Sequence, residues 1–306
     1  MSPANPPKHR QCGAQQVNER LTELDPKLRG RQLKIEHDCQ RSIEKGEAQR
    51  VWRKLITLQV VVHVVYKADE ENVSDAQVNS QIEVLNKDYR GTNPDRSKVP
   101  DPWQSLAADP NIQFKLATKD PKGKATSGIT RTKTTRDSFG TGDSVKRDSE
   151  GGVSPWPTDR YLNFWVCNLG EGLLGYAQFP GGPAKTDGVV VLYSAFGTKG
   201  AASAPFNLGR TATHEVGHWL NLRHIWGDRT DCSGSDQVSD TPKAQMPNYG
   251  SPTWPHISCN NGPNGDMFMN YMDYVDDVAM FMFTQGQAAR INATLAGPRK
   301  KIAGLS

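Results

Sequence analysis

The sequence predicts an α+β protein, and three observations predict it. A β-prone run over residues 58–66 is followed at once by a helix with its own start signal; three more strand-like runs crowd into 161–193; and two strongly helical segments, 207–221 and one opening at Thr284, come late in the chain. No segment repeats. The pattern occupies about 250 residues, a size that one domain with a single core accommodates.

Taken in order, residues 1–53 stand apart. They are rich in Gln, Glu, Arg and Lys, with few large apolar residues beyond a weak helical pattern over 17–28, so this stretch is expected to lie across the domain that follows rather than fold alone. The longest apolar run, 55–66, is broken by Thr57, Gln59 and His63 and reads as a buried strand. Ser74-Asp-Ala-Gln77 forms a capping box, and Val78, Ile82, Leu85 and Tyr89 recur at helical spacing behind it. Residues 111–118 alternate as a strand, and the polar, glycine-containing stretch 120–152 reads as long loops. Strands are expected over 161–167, 175–179 and 188–193, then the helix over 207–221, an irregular region to Asp266, and a last helix opened by the capping box Thr284-Gln-Gly-Gln287.

Composition narrows the function. No run of about 18 apolar residues exists, so no helical membrane span is expected. The net charge of +4 comes from scattered Lys and Arg without interleaved aromatics, which argues against a nucleic-acid partner. The start, Met-Ser-Pro-Ala-Asn-Pro-Pro, has no apolar core of a signal peptide, leaving an intracellular protein or one whose leader is absent. Five cysteines are an odd number, so at least one thiol stays outside intramolecular pairing.

The chemistry sits in His214-Glu-Val-Gly-His-Trp-Leu-Asn-Leu-Arg-His224. Residues four apart share a helix face, so His214 and His218 present two imidazoles to one ion, and Glu215 projects beside them as a general base for water polarised by that ion. His224 lies too far along to coordinate from the same helix. The chain must turn first, and Asn221 is the residue there that tolerates a left-handed backbone. Three nitrogens leave a fourth zinc position open, as a catalytic site requires. A binding module with dead catalysis would have no use for Glu215, and hydrolysis of a non-peptide amide is the other enzymatic reading. His63 reads as a packed histidine on a sheet face, and His9, His37 and His256 have no partner at ligand spacing.

This stretch resembles the metzincin signature, with Asn221 where glycine is usual, and Asn270-Tyr-Met-Asp-Tyr274 resembles the methionine turn of the same clan, with Met272 as its methionine. The wording of both is similar to the pappalysin family and its ulilysin-like members. The resemblance implies a metzincin-type zinc endopeptidase domain at 54–306, with a mixed twisted sheet, an active-site helix and a C-terminal helix, divided by a cleft into upper (54–224) and lower (225–306) subdomains. It implies polypeptide substrates paired along an edge strand at 173–179. Tyr274 is implied as a hydrogen-bond donor to the tetrahedral oxyanion.

The resemblance also implies a Cys232–Cys259 disulfide closing the irregular region, which favours an oxidising, extracellular setting. It implies calcium held by Asp236 and Thr241, within an Asp-, Ser- and Thr-rich segment of hard oxygen donors. Arg10-Gln-Cys-Gly13 resembles the cysteine switch of latent metzincins: residues 1–53 become a pro-segment, Cys12 a fourth zinc ligand in the latent form, and Arg10 a cation that lowers the thiol's pKa and can pair with an acid in the cleft. Cutting is expected near 50–54. Cys39 and Cys167 are left as a pair only by elimination. Asp276 and Asp277, just after the methionine turn, are implied at the base of the pocket for the side chain following the scissile bond. A carboxylate there suits Arg or Lys. The expected product is a secreted monomer, made as a latent zymogen and cleaving before basic residues.

Overall fold

The computed structural model describes residues 7–305, so the first six positions of the 1–53 segment and Ser306 lie outside the described residues. Its strands are β1 (Ile56–Tyr66), β2 (Ile112–Leu116), β3 (Ile129–Lys133), β4 (Leu162–Cys167), β5 (Gly175–Ala177) and β6 (Val189–Leu192). Its helices are α1 (Ala14–Leu24), α2 (Lys27–Glu44), α3 (Glu47–Trp52), α4 (Asp75–Asp88), the single turn α5 (Asp101–Gln104), α6 (Arg210–Trp219) and α7 (Gln285–Ala296). No helix among the described residues is long and apolar enough to cross a membrane.

The sheet is built on β1, whose near-continuous Val run suits a strand buried on both faces. β4 pairs with it in parallel on one side (Val60 with Leu162). On the other side β2 and β3 pair in parallel with successive halves of the strand (Ile56 with Ile112, Val62 with Ile129). β6 follows β4 in parallel, and β5 closes that edge as the antiparallel strand, Gly175 opposite Val191. Side-chain alternation then divides the core. Val60, Val62, Val64, Leu162, Phe164 and Val166 face α4, α6 and the 267–283 segment, whereas Val65, Trp165, Cys167, Tyr176 and Val190 pack with Val17, Leu21 and Leu28 of the N-terminal helices.

The capping boxes behave as local chemistry dictates. The Ser74 hydroxyl accepts from Gln77 N–H at the start of α4, and Thr284 and Gln287 close both halves of their box at α7. Between Trp219 and Asp277 no regular element forms, and Cys232 and Cys259 are disulfide-bonded across 27 positions of that stretch.

Three expectations need correction. The N-terminal segment is helical almost throughout from residue 14 to 52: Pro26 separates α1 from α2 where one weak helix was expected, and α2 and α3 pack on α7. Its few apolar side chains suffice because the domain beneath supplies the rest of the core. The stretch 120–152 contains β3. Ile-Thr-Arg-Thr-Lys has no apolar alternation to signal a strand, and it forms because the second half of β1 offers an unpaired edge. Finally, Cys39 and Cys167 are both buried free thiols. Cys39 lies against Thr294 of α7, and Cys167 belongs to the core on the other face of the sheet.

Candidate metal centre

All ten residues of α6 are buried, so this helix is fixed on every side before any ligand is considered. It carries His214, Glu215 and His218 beneath the β5–β6 edge. It ends in a Schellman arrangement: Leu222 N–H donates to Gly217 O (2.9 Å), Asn221 N–H donates to His218 O (2.9 Å), and Asn221 takes the left-handed backbone at φ 72°. That reversal returns the chain toward the helix face and delivers His224. Gly217 is required for a different reason. A Cβ there would stand 2.5 Å from Met272 Sδ, so the fully buried Met272 fills the space beneath the helix between the two histidines.

Each imidazole is held by its Nδ1. His214 donates to Tyr271 O at 2.7 Å, His218 to Leu222 O at 2.8 Å, and His224 to Asp228 Oδ1 at 2.6 Å. All three partners are acceptors, so all three Nδ1 atoms carry the proton and all three Nε2 atoms are bare lone pairs. These lone pairs converge, with His218 Nε2 3.1 Å from His214 Nε2 and 3.0 Å from His224 Nε2. Tetrahedral zinc at ~2.05 Å from nitrogen needs ligand separations of about 3.3 Å, close to this spacing. Protonation of His214 or His218 offers no relief. Burial pushes His214 well below the usual imidazole range and His218 down to about 3, the neighbouring imidazoles adding to it. The ring of Trp226 stacks on His224 at 4.4 Å, and Tyr274 packs edge-on against it at 4.9 Å.

The fourth direction is occupied by Cys12, whose Sγ lies with the three histidine nitrogens inside a 4.8 Å cluster. Its thiol faces Glu215 Oε2 at 3.3 Å, and its N–H donates to the Tyr274 hydroxyl at 3.3 Å. Neighbouring backbone pairs with the sheet edge: Leu174 N–H donates to Gln11 O and Gly13 N–H to Gly175 O, both at 2.9 Å, with Cys12 bridged to Gly175 in parallel. Gly175 also allows Glu215 its place, since a Cβ on it would stand 2.9 Å from Glu215 Cγ. Burial raises Glu215 to about 8, opposed by the Cys12 hydrogen bond and the charge of Arg10; burial and then the Glu215 charge push the Cys12 thiol well up. Both shifts express two acids in a dry site. A cation at the focus of the imidazoles favours the anionic form of each.

Of the two roles expected for Arg10, pairing with an acid is the one the structure shows, and the thiol is not its partner. Its buried guanidinium points the other way, donating to Asp277 Oδ1 (2.6 Å), Thr211 Oγ1 (3.0 Å) and Val275 O (3.2 Å). The second Asp277 oxygen accepts from Leu208 N–H and Arg210 N–H, so Asp277 is fully buried and fully bonded. Among the described residues Asp276 has no side-chain hydrogen-bond partner, and it is only partly covered. Of the two aspartates the structure brings Asp277 alone into contact with Arg10. Asp236 and Thr241 come together as a pair, the hydroxyl donating to Asp236 Oδ2 at 2.7 Å, and burial raises Asp236 to about 7. His63 is bonded through both ring nitrogens, to Thr130 and Asn163. The sequence reading missed Asp228, although an Asp four residues beyond a ligand-type His is a legible signal. It also missed Arg20, paired with the buried Asp143, and Glu36, paired with Arg290, which no local spacing announces.

Comparison with known proteins agrees with this geometry. The profile of the Peptidase_M43 family, described as Pregnancy-associated plasma protein-A, matches residues 146–296. An extracellular metalloprotease of Podospora anserina is 32% identical over 292 residues, spanning 92% of this chain and 87% of that protein. An extracellular metalloprotease of Arthroderma otae is 32% identical over 244 residues, 77% and 76% of the two chains. Mature mirolysin of Tannerella forsythia with a cleaved peptide superposes with a TM-score of 0.80 at 50% identity, covering 81% of this chain and 96% of that one. A promirolysin mutant from the same organism superposes with a TM-score of 0.86 at 44% identity, covering 96% of this chain and 97% of that one. The fold, the assembled histidine cluster and these similarities together make this chain a metalloprotease of the pappalysin family, Peptidase_M43.

Proposed function

We propose that this chain is a secreted, zinc-dependent endopeptidase made as a latent zymogen and cleaving before Arg or Lys. The observation that carries the zinc assignment is the convergence of three unprotonated Nε2 atoms at about 3 Å, which only a cation makes favourable. Zinc, when bound by His214, His218 and His224, supplies Lewis-acid polarisation of water and of the scissile carbonyl. Glu215 takes the proton from the attacking water and passes it to the leaving nitrogen, a role suited to a carboxyl that burial tunes toward neutrality. Tyr274 donates to the developing oxyanion. The peptide pairs along β5, using the Leu174 N–H and Gly175 carbonyl that residues 11 and 13 now occupy.

Latency follows from that occupancy. Residues 1–53 act as the pro-segment: Cys12 takes the fourth zinc position and Arg10 fills the pocket of Asp277, whose seated guanidinium supports a preference for basic side chains. The catalytic domain is 54–306, with 54–224 above the cleft and 225–306 below it. Arg53, Lys54 and Leu55 are exposed between α3 and β1, which suits a cut there, and the coverage of promirolysin (96%) against mature mirolysin (81%) suits a removable segment of this size. Extracellular relatives and the disulfide support secretion. Calcium bound at Asp236 and Thr241 completes the assignment, its charge being what the buried Asp236 lacks in a salt-bridge partner.

Four outcomes are expected. Glu215→Ala retains zinc by metal analysis but cleaves casein at least about 100-fold more slowly, because it removes the base and no ligand; His218→Ala instead loses zinc. Casein cleavage by Glu215→Ala at the wild-type rate would exclude this mechanism. Cys12→Ala shortens the lag before activity appears, whereas an unprocessed wild-type chain active from the outset would contradict latency. Mass spectrometry of a digested proteome finds Arg or Lys directly after the cut, and processed Asp277→Ala loses that preference with zinc retained; an apolar wild-type profile refutes the pocket assignment. Millimolar calcium raises the melting temperature in wild type and not in Asp236→Ala. Identical melting with calcium and with a calcium-selective chelator would rule out the site.

A further inference from the structure

Arg290 of α7 is the least exposed guanidinium facing the N-terminal helices, with 1% of its side chain exposed. Its Nε donates to Asn221 O at 2.7 Å, so it holds the carbonyl of the very turn that carries the chain from His218 to His224. Its two terminal nitrogens grip Glu36 of α2, Nη1 reaching Oε1 at 2.5 Å and Nη2 reaching Oε2. Burial would push the Glu36 carboxyl up, yet the hydrogen bonds and charge of Arg290 hold it below the usual carboxylate range. Among the described residues Glu36 is the only carboxylate in ion-pair contact with Arg290. Asp236 lies close enough to feel the same charge, but its oxygens are taken by Val238 N–H and the Thr241 hydroxyl. Beside the pair a cavity of about 750 Å³ opens between α1, α2 and the loop after His224, lined by Arg223 and Arg229 and, from the N-terminal helices, by Arg29, Glu19, Glu23 and Glu36. Arg223 is near enough to Arg290 for the two like charges to disfavour each other.

When α2 departs, the bidentate face of Arg290 loses its partner while its Nε stays tied to Asn221. Losing Glu36 leaves that guanidinium face without its anion, and Arg223 alongside, a second positive charge, favours another carboxylate in its place. We propose that Arg290, with Arg223, is a carboxylate-binding site, filled by Glu36 in the full-length chain and opened to an external carboxylate once the N-terminal segment is removed. Arg290 is a positioning residue here, acting on the metal-site turn through Asn221. The proposal rests on the reading of residues 1–53 as removable, but the site itself is testable without removal or proteolysis.

The probe is acetate, compared with chloride at matched ionic strength and pH, and the readout is the melting temperature. The full-length wild type should melt alike in both salts. Full-length Glu36→Ala should melt lower in chloride and recover by about 2–4 °C as acetate saturates, and the Glu36→Ala/Arg290→Gln double variant should not recover. In the processed chain, freed of its segment by gel filtration, acetate should raise the melting temperature of wild type but not of Arg290→Gln, and zinc retained by Arg290→Gln on metal analysis excludes acetate bound at the metal. A peptide of residues 27–44 distinguishes the sources. If it displaces acetate, and its Glu36→Gln version does not, the released segment is the ligand; if it does not, the ligand is a free carboxylate. Equal melting in acetate and chloride for both Glu36→Ala and the processed wild type overturns the site, whatever the casein assays show. Should Glu36→Ala fail to fold, the processed wild type and Arg290→Gln decide alone.

Discussion

Three unprotonated imidazole nitrogens held about 3 Å apart in a dry interior are the constraint on which this structure turns. Such an arrangement is unfavourable by itself, so everything around it serves to hold it. Each ring needs an acceptor on its far nitrogen, and the three acceptors come from three different places: the segment below the helix (Tyr271 O), the reversed turn (Leu222 O) and a loop carboxylate (Asp228). The turn in turn depends on a left-handed Asn221, whose carbonyl is held by Arg290. Met272 fits only because Gly217 has no side chain. The metal-site helix, the methionine turn and α7 are thus parts of one clamp.

The N-terminal segment uses the same cleft in a different way. It has little apolar surface to offer, and it docks through polar sockets: Arg10 in Asp277, Cys12 over the histidines, Arg20 on Asp143 and Glu36 on Arg290. Buried ion pairs of this kind contribute little net stability, because desolvation offsets much of the attraction. What they supply is register. Each socket accepts only a side chain of the right charge at the right place, so together with the buried Val17, Leu21 and Leu28 these contacts fix the segment over the site. The N-terminal segment and the metal centre thus share one set of groups: Asp277 anchors Arg10, and Cys12 closes the ring of histidines.

How much of this was legible in the sequence follows from the range of each interaction. The helix carrying His214, Glu215 and His218, the turn at Asn221, the capping boxes at Ser74 and Thr284, and the strands at 58–66 and 161–167 all depend on residues within about one turn or pleat of each other, and all form as expected. The motif also fixed which atoms would meet, since the spacing of His214, His218 and His224 is itself the geometry of the site once the turn is granted. What only the tertiary structure decided is pairing between distant segments. β3 is a strand because β1 leaves an edge open to it, not because Ile-Thr-Arg-Thr-Lys prefers one. Cys39 and Cys167 stay apart because opposite faces of the sheet claim them. Asp277, not Asp276, meets Arg10 because the backbone N–H groups of Leu208, just before α6, and Arg210, its first residue, turn its carboxylate inward. Side-chain chemistry states what a residue can bind. Which partner arrives is settled by packing across hundreds of positions, where no local period carries the information.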